Sequence, residues 1–200
     1  GNTGEATIAS MIEDAVTAID FVRAKTGAQA VYVLGICSGG KVAIGSAVQR
    51  EVKGLILWSG EAMGRLRDVG TNRRKTCSAL QSYFHKLRSR ETWRRILTGR
   101  INVKGVNKAL FQHETPAQTE TEQENRSLDA FRDYQGQILF IHGGKDPATA
   151  RAADHYRTYF RKNGIPARFH EIEDANHSFY SLDWEKNVIS FSAAWLRDVR

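Results

Sequence analysis

Apolar residues recur at helical spacing near the start of the chain. Ile8, Met11, Ile12, Ala15, Val16, Ile19 and Val22 form one stripe, and Gly27 just beyond is a stop signal. The period then changes. Short apolar runs follow at 31–34, 53–58, 137–141 and 166–172, each of strand length. Residues 39–49, 149–163 and 184–198 return to helical spacing, with Gly164 ending the second of these. Short, continuously apolar strands, each followed by a helix or a long excursion, predict an α/β fold. Its sheet is mostly parallel and covered by helices on both faces. In such a sheet functional groups gather at the carboxyl ends of the strands.

The strand Val31-Tyr32-Val33-Leu34 runs into Gly35-Ile36-Cys37-Ser38-Gly39-Gly40 and then into the helical segment 41–48. A strand, a glycine-framed turn and a helix make a nucleophile elbow, here of the form G-x-C-x-G. In this reading Gly35 and Gly39 let neighbouring backbone pass close by, and Cys37 is the residue presented. Two segments downstream supply the partners a thiol nucleophile needs. Asp146 follows the strand 137–141, and His177 lies in Asp174-Ala175-Asn176-His177-Ser178-Phe179. Other readings compete. Residues 35–41 also satisfy the phosphate-loop pattern G-x-x-x-x-G-K, but Val42 stands where a magnesium-binding hydroxyl belongs, and Asp146 and His177 go unexplained. Ser38 as nucleophile would put Ile36 at the close-approach glycine. Without the downstream segments, Cys37 would read as a small buried residue.

These three segments, GICSGG, ILFIHGGKDP and DANHSF, resemble the α/β-hydrolases, whose triads follow the order nucleophile, acid, histidine. The resemblance spans nearly the whole chain. Cysteine in place of serine is similar to the dienelactone hydrolases. The elbow together with residues 90–100 resembles the hydrolases associated with bacterial exosortase systems. The resemblance implies that several strands and a helix precede residue 1, so that the chain is the carboxyl-terminal two-thirds of a longer, N-terminally incomplete enzyme. It further implies an oxyanion hole made of the Ser38 N–H and a second N–H from the preceding part. The strand at 31–34 would then be an exposed apolar edge.

Charge alters the picture in the middle of the chain. Between residues 65 and 110, thirteen Lys and Arg face only Asp68 and Glu91, a net +11 against +7 for the whole chain. Phe84, Leu87, Trp93, Ile96 and Leu97 interleave with these charges at roughly helical spacing. The expected organisation is a hydrolase core at 1–61 and 135–200, with a basic helical cap insertion at 62–134. The acidic tract 114–124 would balance part of the field. The basic charge reads as a solvated surface or as steering of an anionic acyl substrate. No zinc-finger or RNA-binding signature supports specific nucleic-acid binding.

The expected chemistry is hydrolysis of an ester, thioester or lactone of a small acyl substrate. His177 takes the proton of Cys37, Asp146 fixes the imidazole, and a covalent acyl-enzyme forms. The helix N-terminus behind the elbow favours a thiolate. The alternative is a catalytically silent protein of this fold that binds an anionic ligand or partner through its basic segment. No cofactor and no metal are expected, since His85, His113, His155 and His170 lack metal-ligand spacing. Cys77 reads as incidental, His142 as shaping the acid loop, and Asp174 as shaping the histidine loop. No apolar run approaches the ~20 residues of a membrane span. With two cysteines and no disulfide framework, a reducing cytoplasm is the expected setting.

Overall fold

The structure is a computed structural model that describes residues 7–67 and 118–199. The chain divides into two compact units, residues 1–67 with 118–200, and residues 68–117. The second unit lies outside the described residues. With it go most of the expected basic cap, Cys77, His85 and His113.

Helix α1 (Ile8–Thr26) begins where Thr7 and Ser10 cap each other's backbone N–H groups. It ends at Gly27, whose φ of 66° is the left-handed stop that glycine adopts without strain. Its buried stripe, Ile12, Val16 and Ile19, lies against α2 (Gly39–Gln49). There Gly45 makes room: a Cβ on it would lie 2.8 Å from Ile12 Cγ1.

Four parallel strands form the sheet in the order β1 (Tyr32–Ile36), β2 (Gly54–Trp58), β3 (Gln137–Gly143), β4 (Ala167–Ile172). The fold class is the expected one. The period-2 pleat sends Leu55, Leu57, Ile138 and Phe140 to one face, where they join Ile44 of α2 and Tyr156 and Phe160 of α4 (Pro147–Lys162). Ile56, Leu139 and Ile141 point to the other face, where α5 (Leu182–Asp198) covers them with Val188 and Trp195. Both faces being buried explains why the strands read as apolar runs rather than alternations. Among the described residues β1 pairs on one side only, and its Leu34 and Ile36 are exposed.

Periodicity missed one helix. Helix α3 (Gln118–Ala130) occupies the tract read as acidic, and it packs against α2 and the 3-10 turn Gly64–Leu66. Too few of its residues are apolar to show a stripe. Leu128 is buried, but so is Glu124, which is held by charge rather than by apolar contact. Among the described residues no helix is long and apolar enough to cross a membrane.

Trp195 is 2% exposed; its ring meets Tyr32 edge-on at 6.1 Å and lies over Gly54. Trp195→Ala is expected to lower stability by about 3–5 kcal/mol, measured by urea unfolding. A loss under about 1 kcal/mol would contradict this packing of α5.

Candidate active site

Cys37 stands between β1 and α2 with φ 54°, a left-handed conformation that side chains other than glycine rarely adopt. The turn is held by backbone bonds. The Cys37 N–H donates to Trp58 O (2.9 Å), and the Cys37 carbonyl accepts from Gly40 N–H (3.1 Å) and Glu61 N–H (3.3 Å). Gly35 is required here, because a Cβ on it would fall 2.6 Å from Gly39 C and 2.8 Å from Gly40 N. Gly39 differs from the sequence expectation. A Cβ on it would meet nothing within 4 Å, so this second glycine of the frame faces open space rather than a close backbone.

The structure brings Cys37, His177 and Asp146 into one hydrogen-bonded line. Cys37 Sγ lies 2.9 Å from His177 Nε2, and His177 Nδ1 lies 2.6 Å from Asp146 Oδ2. Asp146 is the N-cap of α4. Its Oδ1 accepts from the N–H groups of Ala148 (3.2 Å) and Thr149 (3.4 Å), and its Oδ2 also accepts from the Thr149 hydroxyl (2.5 Å). One carboxylate thus caps a helix and grips the imidazole. The loop bearing His177 is laced to the acid loop: Lys145 N–H donates to Ala175 O (3.0 Å), and a Cβ on Gly143 would fall 2.7 Å from Asn176 O. Beneath it, buried Ser59, itself at φ 46°, donates its hydroxyl to His177 O (2.8 Å).

Electrostatics set the protonation order. Burial works against the Asp146 charge, but the hydrogen bonds from His177 and Thr149 outweigh it and hold the carboxyl at about 2. Asp146 is therefore ionised, its Oδ2 accepts from His177 Nδ1, and His177 Nε2 faces the Cys37 sulfur. Burial, with the charges of Glu61 and Asp146, pushes the Cys37 thiol up. Both act against the thiolate that the helix N-terminus behind the elbow would favour.

Ser38, next along, is exposed and is the N-cap of α2; among the described residues its N–H has no acceptor. Lys41, which a phosphate loop would need, is instead buried against Glu61 (3.2 Å) and Glu124 (3.5 Å). The other sequence candidates stay out of the line. Asp174 is exposed and pairs with Lys145 at 2.8 Å. His142 is buried at the end of β3 with Nδ1 unpartnered, His155 meets Leu66 O at 2.6 Å, and His170 stacks on Phe191. Among the described residues no three His, Cys, Asp or Glu side chains form a metal-binding group. Thr149, Ser59 and Glu61 escaped the sequence analysis. Of these, only Thr149 left a signal, three residues past the acid at the start of a helix.

Residues 1–189 match the family described as "Alpha/beta hydrolase family". No curated protein matches the sequence. Solved structures with a similar fold include dipeptidyl peptidase 4 of Porphyromonas gingivalis, with TM-score 0.61 and 16% identity over 94% of this chain and 22% of that one. An uncharacterized protein of Bacillus cereus gives TM-score 0.57 and 11% identity over 96% of this chain and 44% of its own. A monoacylglycerol lipase of Paleococcus ferrophilus gives TM-score 0.58 and 16% identity over 100% of this chain and 79% of its own. The chain thus spans well under two-thirds of the first two.

A carboxyl held below its ordinary value stabilises the fold above that value, and the contribution fades as pH falls toward about 2. The stability difference between the protein and Asp146→Asn is therefore expected to shrink from about pH 5 to about pH 2 in urea unfolding. A difference that does not change with pH would contradict an ionised, hydrogen-bonded Asp146.

Proposed function

The chain belongs to the alpha/beta hydrolase family, and from that premise we propose that it hydrolyses an ester, thioester or lactone through Cys37, His177 and Asp146. The observation that carries this reading is the continuous Cys37–His177–Asp146 line, with its nucleophile on a left-handed turn. His177 Nε2 takes the thiol proton as Sγ bonds the acyl carbon, and the Ser38 N–H faces the oxyanion. The intermediate collapses by breaking the bond to the leaving oxygen or sulfur, and His177 returns the proton to that atom. Water then gives a proton to His177 and attacks the acyl carbon. Sγ leaves and is reprotonated, and a carboxylic acid departs. Asp146 stays ionised throughout and stabilises the imidazolium that forms twice per cycle.

A sulfur nucleophile suits esters, lactones and thioesters, because His177 can return the proton to the oxygen or sulfur that leaves. The monoacylglycerol lipase shares only the fold at this identity, but its name describes an ester substrate consistent with this class. The cysteine makes the dienelactone hydrolases, and more narrowly the exosortase-associated hydrolases, the subgroup we favour. The insertion at 62–134, basic between 65 and 110, would steer an acyl substrate bearing an anionic group. A reducing cytoplasm suits the working thiol.

Steady-state hydrolysis of p-nitrophenyl acetate and of an acyl thioester tests the reading. Cys37→Ala and His177→Ala are each expected to lower kcat/KM by at least about 10³-fold. Turnover that survives Cys37→Ala would overturn it. An inactive protein that still binds anionic ligands, with Cys37→Ala binding equally well, would favour the silent alternative.

A further inference from the structure

Among the described residues, three positions other than glycine hold left-handed backbone: Cys37 (φ 54°), Ser59 (φ 46°) and Phe179 (φ 50°). All three adjoin His177. Cys37 presents its sulfur to Nε2, Phe179 stands two residues further along the same loop, and Ser59 reaches the histidine from the end of β2. Strain of this kind persists where the surroundings over-determine the backbone, and it gathers at functional sites. Cys37 carries the nucleophile, and Phe179 buries its ring in the core beneath α5. Ser59 has neither a reacting atom nor an apolar side chain to bury. Glycine would hold φ 46° without strain, so what serine adds at this position is its hydroxyl.

That hydroxyl belongs to a residue with 0% exposure and donates to His177 O at 2.8 Å. Its surroundings make residues 58–59 a junction. Trp58 O accepts from Cys37 N–H at 2.9 Å, and Ser59 N–H donates to Ile141 O at 2.8 Å, on the strand that leads to Asp146. Trp58 Nε1 donates to Ser192 Oγ of α5 at 3.1 Å, which fixes the junction from the opposite face. One strand end thus bonds the nucleophile turn, the strand before the acid and the histidine loop. Asp146 grips the imidazole at Nδ1 only. A ring held at that one atom can pivot about it, and such a pivot swings Nε2 away from the sulfur. A bond to the carbonyl of His177 restrains the ring at its root.

Building on the catalytic reading above, we propose that Ser59 is a positioning residue: its buried hydroxyl fixes the backbone of His177 so that Nε2 stays within reach of the Cys37 sulfur through acylation and deacylation. With no exposed surface, Ser59 cannot touch a substrate. Its contribution therefore falls on the proton transfers that His177 makes in each half of the cycle, and not on binding.

The test is steady-state hydrolysis of p-nitrophenyl acetate by the full chain, set beside urea unfolding of the same variants. Ser59→Ala and Ser59→Gly both remove the hydroxyl, but only glycine relieves the backbone. Each is expected to lower kcat by about 10- to 100-fold, with KM little changed. Ser59→Gly is expected to unfold at a higher urea concentration than Ser59→Ala, and it keeps the test decisive if Ser59→Ala fails to fold. Activity would then follow the hydroxyl and not the stability. A kcat near wild type in either folded variant, a kcat restored in Ser59→Gly along with stability, or an effect confined to KM would overturn the role of Ser59. Any of these in an enzyme that Cys37→Ala inactivates rejects Ser59 alone. Turnover that survives Cys37→Ala rejects the catalytic reading itself.

Discussion

A cysteine held at φ 54° between a strand and a helix is the constraint on which the rest of the site depends. The conformation is unfavourable for any residue with a Cβ, and it persists because the surroundings over-determine it. Trp58 and Glu61, on one side of the turn, and Gly40, on the other, hydrogen-bond the Cys37 backbone, and Gly35 gives the passing chain room that any side chain would fill. At this turn Sγ lies 2.9 Å from Nε2 of His177.

The two loops that meet Cys37 are fixed to each other more firmly than to the nucleophile. Asp146 caps α4 with one oxygen and grips His177 with the other, so the imidazole orientation is tied to helix formation. Ser59 anchors the backbone of the same histidine from the end of β2. Asp146 is ionised, and burial together with the charges of Glu61 and Asp146 pushes the Cys37 thiol up.

Much of this was legible in the sequence, and the reasons differ by element. The strands announced themselves because both faces of the sheet are buried. Cys37, Asp146 and His177 were legible because each stands just past a strand, where a parallel sheet gathers its chemistry. The misreadings share one cause. Helix α3 forms around Glu124, whose burial depends on Lys41 and Arg67 from distant segments. The surroundings of the thiol were only partly legible for the same reason: the helix N-terminus beside Cys37 is a local feature, whereas its burial and the charge of Glu61 arise only through the fold. Gly39 was assigned a steric role by analogy with Gly35, but the first turn of α2 turns its α-carbon toward open space.

The central claim is that Cys37 forms a covalent bond to the acyl group in an assembled triad. Rapid quenching of the protein with a p-nitrophenyl ester, followed by peptide mass spectrometry, tests it most directly. The account predicts an acyl adduct on the peptide containing Cys37, accumulating when deacylation is slowed and absent from His177→Ala. An adduct on Ser38 or Cys77, or none while hydrolysis proceeds, would contradict it.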